Sequence, residues 1–177
     1  MLNAITINVC LDNATFRRFA FFDAFILRKC LRRPVIFCSI FLVFSLVAFF
    51  SHREQSMLLG SVLLMVGLGI PAVYIGTFLV DVNRQGKKAG LRSCPLVYTV
   101  HLDKTGIVIQ NAQKEEKPLH LRWNTLSQAF RMKDCVYLYA APNKAFLFPN
   151  GQANVSDEEL WQTIVQYMGS EKCQVRK

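Results

Sequence analysis

Three histidines, six cysteines and a run of three carboxylates are the residues of this chain with chemistry beyond packing. His101 and His120 alternate outward on segments that read as strands, so neighbouring strands would let the two imidazoles approach. A pair of imidazoles without a third ligand is an incomplete metal site. His52 stands apart, between two apolar runs. Cys10, Cys30, Cys38, Cys94, Cys135 and Cys173 show no CxxC spacing, which points to free thiols and away from a disulfide frame or zinc site. Asp157, Glu158 and Glu159 resemble general-acid carboxylates, but they open a helix, where the dipole favours negative charge. Trp123 and Trp161 read as packing between strand and helix. There is no G-x-S-x-G, no Walker loop and no HExxH. The expectation is therefore no catalytic, cofactor-binding or metal-binding residue, and a protein that is not an enzyme.

The elements that carry these residues are dominated by two apolar runs, Pro34–Phe50 and Met57–Val80, joined by Ser51-His52-Arg53-Glu54-Gln55-Ser56. Neither run contains Asp, Glu, Lys, Arg or His. At about 1.5 Å per residue they reach roughly 25 Å and roughly 36 Å, against a hydrocarbon thickness of about 30 Å. A transmembrane helical hairpin follows, with Arg32 and Arg33 snorkelling to complete the shorter span. A helix core of a water-soluble protein rarely stays uncharged for so long.

Charge fixes the expected orientation. The chain has 21 Lys and Arg against 12 Asp and Glu, a formal net charge of +9. Arg17, Arg18, Arg28, Lys29, Arg32 and Arg33 precede the first run, and Arg84, Lys87, Lys88 and Arg92 follow the second. The connecting loop carries only Arg53, beside Glu54. Cationic flanks stay cytoplasmic, so both termini are expected inside the bacterial inner (cytoplasmic) membrane and the loop outside. The cations crowd the membrane edges, where anionic headgroups attract them, rather than forming a nucleic-acid surface. Arg28, Lys29, Arg32, Arg33, Arg84, Lys87 and Lys88 are the expected lipid-headgroup contacts. The late apolar start argues against a signal peptide, and Cys30 lies where acylation is chemically allowed.

Residues 2–10 alternate through Leu2, Ala4, Ile5, Ile7 and Val9 as a short strand. Asp12 or Asn13 caps a helix over about Ala14–Arg33. Its bulk (Phe16, Phe19, Phe21, Phe22, Phe25, Ile26, Leu31) suits either the membrane interface or the face of a soluble domain. Residues 1–33 form this N-terminal strand and juxtamembrane helix. Pro34 fits the first turn of the next helix, and Pro71 should kink the second span near Gly67. Gly60 and Gly67 share a face, as do Gly69 and Gly76. One pair suits the antiparallel neighbour, leaving the other for a second copy, a homo-oligomer.

Residues 81–95 read as a linker and 96–170 as a sheet domain closed by a helix, with 171–177 a tail. Leu96, Tyr98, Val100 and Leu102 make one strand face. Asp103-Lys104-Thr105-Gly106 is a tight turn with Gly106 free to take positive φ. Ile107 and Ile109 return. Lys114-Glu115-Glu116-Lys117 lies in a solvated turn, and Leu119, Leu121 and Trp123 alternate inward. A strand near Ser127–Met132 and a hairpin of Cys135–Ala140 with Ala145–Phe148 follow. Ser156 and Glu159 form a capping box, Leu160, Trp161, Ile164, Val165 and Met168 a stripe, and Gly169 a stop. The expected fold class is an α+β membrane protein: a two-helix transmembrane hairpin, then a small antiparallel sheet or barrel capped by a C-terminal helix.

That order of parts resembles the YcxB-like family of bacterial membrane proteins. The matching residues are Leu121-Arg122-Trp123-Asn124-Thr125-Leu126, Val136-Tyr137-Leu138-Tyr139, Ala145-Phe146-Leu147-Phe148-Pro149 and Glu158-Glu159-Leu160-Trp161. The resemblance implies a C-terminal domain of the bacterial pleckstrin-homology type. Asn150-Gly151 departs from the basic residues that many members carry after the proline, so no headgroup contact is carried over to that corner. The functional expectation is a non-enzymatic integral membrane protein whose cytoplasmic domain meets a protein partner or lipid headgroups. The competing expectation is a small immunity or stress-type membrane protein acting through its hairpin at a membrane target.

Overall fold

The computed structural model describes residues 5–51, 55–112 and 117–176. Leu2 and Ala4, the loop residues 52–54, the charged turn at 113–116 and Lys177 lie outside the described residues. The chain divides into two compact units, Met1–Phe16 with Gly90–Lys177, and Arg17–Ala89. The class is α+β. The second unit is helical and is inserted, in sequence, between the first strand of the sheet unit and the rest of it.

In the helical unit, α2 (Arg32–Phe50) and α3 (Ser56–Lys88) are both long and apolar enough to cross a membrane, and only 11% of the apolar stretch of each is buried. They pack against each other through small residues. A Cβ at Gly67 would stand 2.9 Å from Phe41 Cβ, and one at Gly60 would stand 3.0 Å from the Phe49 ring. Ser45, fully buried, donates its hydroxyl to the Gly60 carbonyl at 2.8 Å, which satisfies a polar group that lipid could not. A Cβ at Gly69 or Gly76 would meet nothing within 4 Å. The helix α3 runs unbroken through Pro71.

Two boundaries differ from those read in the sequence. Residues 81–88, expected as linker, continue α3 to Lys88. The shift from apolar to charged residues changes the solvent a helix needs, not its backbone. Lys87 and Lys88 favour the negative helix end, and Gly90 supplies the left-handed stop at φ 66. The single helix expected over about Ala14–Arg33 is also divided. Asp12 caps α1 (Asn13–Phe21) through a 2.9 Å bond to the Thr15 N–H. A π-helical stretch, Phe22–Leu27, follows, closed by Arg28 N donating to Asp23 O at 2.9 Å and by an Arg28–Asp23 ion pair at 2.8 Å. Lys29 then turns with φ 52 before α2 begins. Phe21 and Phe25 lie 5.2 and 4.7 Å, centroid to centroid, from Phe78 of α3. The phenylalanine-rich segment therefore packs on the second long helix.

The sheet unit has two four-stranded sheets. The first has the order β1 (Ile5–Cys10), β2 (Leu96–Leu102), β3 (Gly106–Asn111), β4 (Leu119–Arg122), all antiparallel. The second has the order β7 (Lys144–Pro149), β6 (Cys135–Ala141), β5 (Gln128–Arg131), β8 (Cys173–Val175). The β5–β8 pair is parallel, so part of the expected tail is a strand. Helix α4 (Asp157–Met168) buries Leu160, Trp161, Ile164 and Met168. Ser156 accepts from the Glu159 N–H at 3.2 Å, one half of the expected capping box.

Strand β1 is fastened on both edges. Its ladder to β2 pairs Ile5 with Leu102 and Ile7 with Val100. On its other side Asn154 N donates to Thr6 O at 3.0 Å, and the Gln152 side chain clasps Cys10 with bonds of 2.8 and 2.9 Å. Ile5, Ile7, Val9 and Leu11 are all buried. A residue stretch from before the helical insertion is thus a buried strand of the sheet unit resumed after it.

Tyr98 ties the two sheets together. Its hydroxyl donates to the Leu147 carbonyl at 2.9 Å and accepts from the Leu147 N–H at 2.8 Å. These backbone groups sit on the open edge of β7, and burial, partly opposed by the Leu147 bond, raises the phenol's pKa well above its ordinary value. Tyr98→Phe orphans both, and buried orphans cost about 1–3 kcal/mol each. The expected loss is about 2–6 kcal/mol, read as a lower urea midpoint with an unchanged m-value.

Candidate functional site

The seven cations singled out in the sequence are brought by the fold to one end of the helical unit, but at two heights. Antiparallel packing places the start of α2 near the end of α3. The contacts fix the register: Gly60 against Phe49, Gly67 against Phe41, and the Tyr74 hydroxyl against the Cys30 thiol. Arg28, Lys29, Arg32 and Arg33 therefore stand near the level of Tyr74. Arg84, Lys87 and Lys88 lie ten to fourteen residues farther along α3, roughly 15–21 Å at helical rise.

This stagger follows from the unequal apolar runs, 17 residues against 24. The surplus of seven residues on α3 is about 10 Å of helix. Phe21 and Phe25 pack on Phe78 within that surplus, so the aromatic segment supplies the apolar cover that α2 is too short to give. The sequence read the two cationic groups as equivalent collars; the register makes the first of them the nearer to the apolar boundary.

Elsewhere the candidate residues take structural roles. His101 and His120 share the outer face of the first sheet, yet they are not on neighbouring strands. The register runs Thr6, His101, Val108, His120 across β1 to β4, so two strand spacings, about 9.6 Å, separate the histidines. His101 Nδ1 instead meets the Thr6 hydroxyl at 3.1 Å. Among the described residues no group of three His, Cys, Asp or Glu is placed to hold a metal. Glu158 pairs with Arg131 at 2.7 Å, and Asp157 accepts from the Gly151 N–H at 2.8 Å. Trp161 is buried beneath α4, and Trp123, also buried, donates to the Asp103 carbonyl at 2.9 Å and stacks on Tyr167 at 5.1 Å. All six thiols are free.

Asp103 builds the β2–β3 turn. One carboxylate oxygen accepts from the Thr105 hydroxyl, the Thr105 N–H and the Gly106 N–H at 2.6, 2.7 and 2.9 Å. Gly106 does not take positive φ; glycine is required because a Cβ there would run into the Leu121 carbonyl. The Thr105 hydroxyl bond first, then the two N–H groups and the His120 charge, hold Asp103 below the ordinary aspartate range, with desolvation opposing. A depressed folded pKa gives stability that is present above the unfolded pKa and lost as pH falls through the folded one. Asp103→Asn should flatten that acid limb, and an NMR titration of the Asp103 carboxyl should show a midpoint below that of an unstructured peptide.

Sequence reasoning missed the Gln152 clasp, the Tyr98 tie and β8, since each joins residues far apart in the chain. The outer side of α2 adds a shallow apolar groove lined by Val43, Leu46, Val47, Phe50 and Ser51. No family model matches the chain, and neither a curated protein nor a solved structure matches it.

Proposed function

We propose that this is a non-enzymatic integral membrane protein of the bacterial inner membrane, in which the helical unit anchors a sheet unit beside anionic lipid headgroups. The observation that carries the reading is the apolar surface of α2 and α3. Phe50 and Met65 are each 76% exposed and Val73 is 66% exposed, an uncovered face far larger than a protein in water tolerates. Hydrocarbon is the solvent that such a face requires. The cations at the start of α2 and the end of α3 complement the anionic cytoplasmic leaflet and favour the orientation with both termini inside. Two sheets closed by a C-terminal helix support the likeness to the YcxB-like, pleckstrin-homology-type arrangement. The role that follows is to present a binding surface, for headgroups or a protein partner, at the membrane.

Alkaline carbonate extraction tests the anchor: the full chain should stay with the membrane pellet. A cysteine at Gln55 should react with an impermeant thiol reagent from outside, and a reporter after Lys177 should work only in its cytoplasmic form. Release by carbonate overturns the anchor, and an external C-terminus overturns the orientation.

A further inference from the structure

The first ladder of the sheet unit ends on two thiols. Cys10 closes β1 and faces Leu96, the next rung is Leu11 N to Pro95 O at 3.4 Å, and Cys94 directly precedes Pro95. Cys94 stands one residue beyond that rung, outside the extended strand, and close enough to Cys10 for the Cys10 charge to act on its thiol. Cys94 is exposed, with φ 48 and ψ 57, while Cys10 is half-buried. The two residues also bracket the helical insertion in sequence, one leaving the sheet unit and one re-entering it.

We infer that Cys10 and Cys94 form a redox couple that a peroxide converts to an intramolecular disulfide, fastening the two chain crossings to each other. The Cys94 thiolate attacks a peroxide oxygen and the O–O bond breaks, giving a sulfenic acid and, once protonated, water. The Cys10 thiolate then displaces the sulfenic oxygen as a second water. Two thiols lose two protons and two electrons, and hydrogen peroxide is reduced to two waters. The Cys94 thiol is raised above its ordinary range by desolvation first, then by Cys10 and Asp12. A raised thiol slows the attack, so the test uses peroxide in excess. Cys135, by contrast, is 1% exposed and its thiol is pushed up to about 12 by burial, against a weaker opposing Phe148 backbone bond.

The test is to treat the reduced full-length protein in detergent micelles with excess hydrogen peroxide, alkylate it in denaturant and map the peptides. The expected product is a Cys10–Cys94 linked peptide pair, two thiols lost to alkylation, and full recovery with dithiothreitol. Cys10→Ser and Cys94→Ser should each abolish that product; should either fail to fold, the wild-type map still decides. Cys10 and Cys94 both remaining alkylatable overturns the inference. So does Cys94 joined to any other cysteine, its own chain's or another's, or oxidised past the sulfenic acid with Cys10 left free.

Discussion

Removing residues 1–12 should leave the sheet unit unfolded, although the deletion touches none of its later strands. Strand β1 contributes Ile5, Ile7, Val9 and Leu11 to the core, at 3%, 0%, 0% and 5% exposure. Burying an aliphatic side chain of this size is worth about 1.5–3 kcal/mol, so four amount to roughly 6–12 kcal/mol. A whole domain is stable by about 5–15 kcal/mol, which the loss consumes. A fragment beginning at residue 90 has the same defect, because it also exposes the β2 edge that β1 covers. The converse is the sharper test. Joining residues 5–12 to residues 94–176 through a short Gly/Ser linker removes the helical insertion and restores β1, since Leu11 and Pro95 are already hydrogen-bonded neighbours. That graft should unfold in one cooperative urea transition and give dispersed amide resonances, while the 90–176 fragment gives neither. A folded 90–176 fragment would show that β1 is an accessory strand.

The same elements show what the sequence could and could not say. The hairpin was legible because the absence of charge over 17 and 24 residues is a local property. So were the alternating strands and helix α4, whose cap and stripe lie within a few residues of each other. The partner of β1 was not legible, because the chain leaves and returns across an 85-residue interval between Cys10 and Leu96. The end of α3 was misread because hydropathy reports the surrounding solvent and not the backbone. The π-helical break at Phe22–Leu27 is a six-residue feature closed by Arg28 on Asp23, too small for periodicity to register. The distance between His101 and His120 depended on which strand lay between them. Alternation alone gives a face and not an order.

The stagger of the cations carries the second large effect, under the membrane-anchored reading. Each Lys or Arg near an anionic surface contributes about 1 kcal/mol, falling off within a Debye length of about 8 Å at physiological salt. Lys29, Arg32 and Arg33 stand at the apolar boundary, so replacing all three with Gln removes up to about 3 kcal/mol of attraction. At least a tenfold fall in the relative association constant for spin-labelled phosphatidylglycerol is expected, measured on the full chain reconstituted in mixed vesicles. Arg84, Lys87 and Lys88 lie four to eight residues past Val80, where the apolar run of α3 ends, roughly 6–12 Å, and are partly screened. Their replacement by Gln should change the constant less, by no more than about fivefold, or about 1 kcal/mol. Raising the salt should erase the first effect before it alters the second. Equal losses from both sets would mean that α3 lies across the surface rather than along the bilayer normal, with its last turns at headgroup depth. The outcome therefore reads the tilt of α3 as well as the identity of the contacts. A helix 33 residues long spans about 50 Å, well beyond a hydrocarbon core of about 30 Å, so either it tilts or its last turns leave the hydrocarbon.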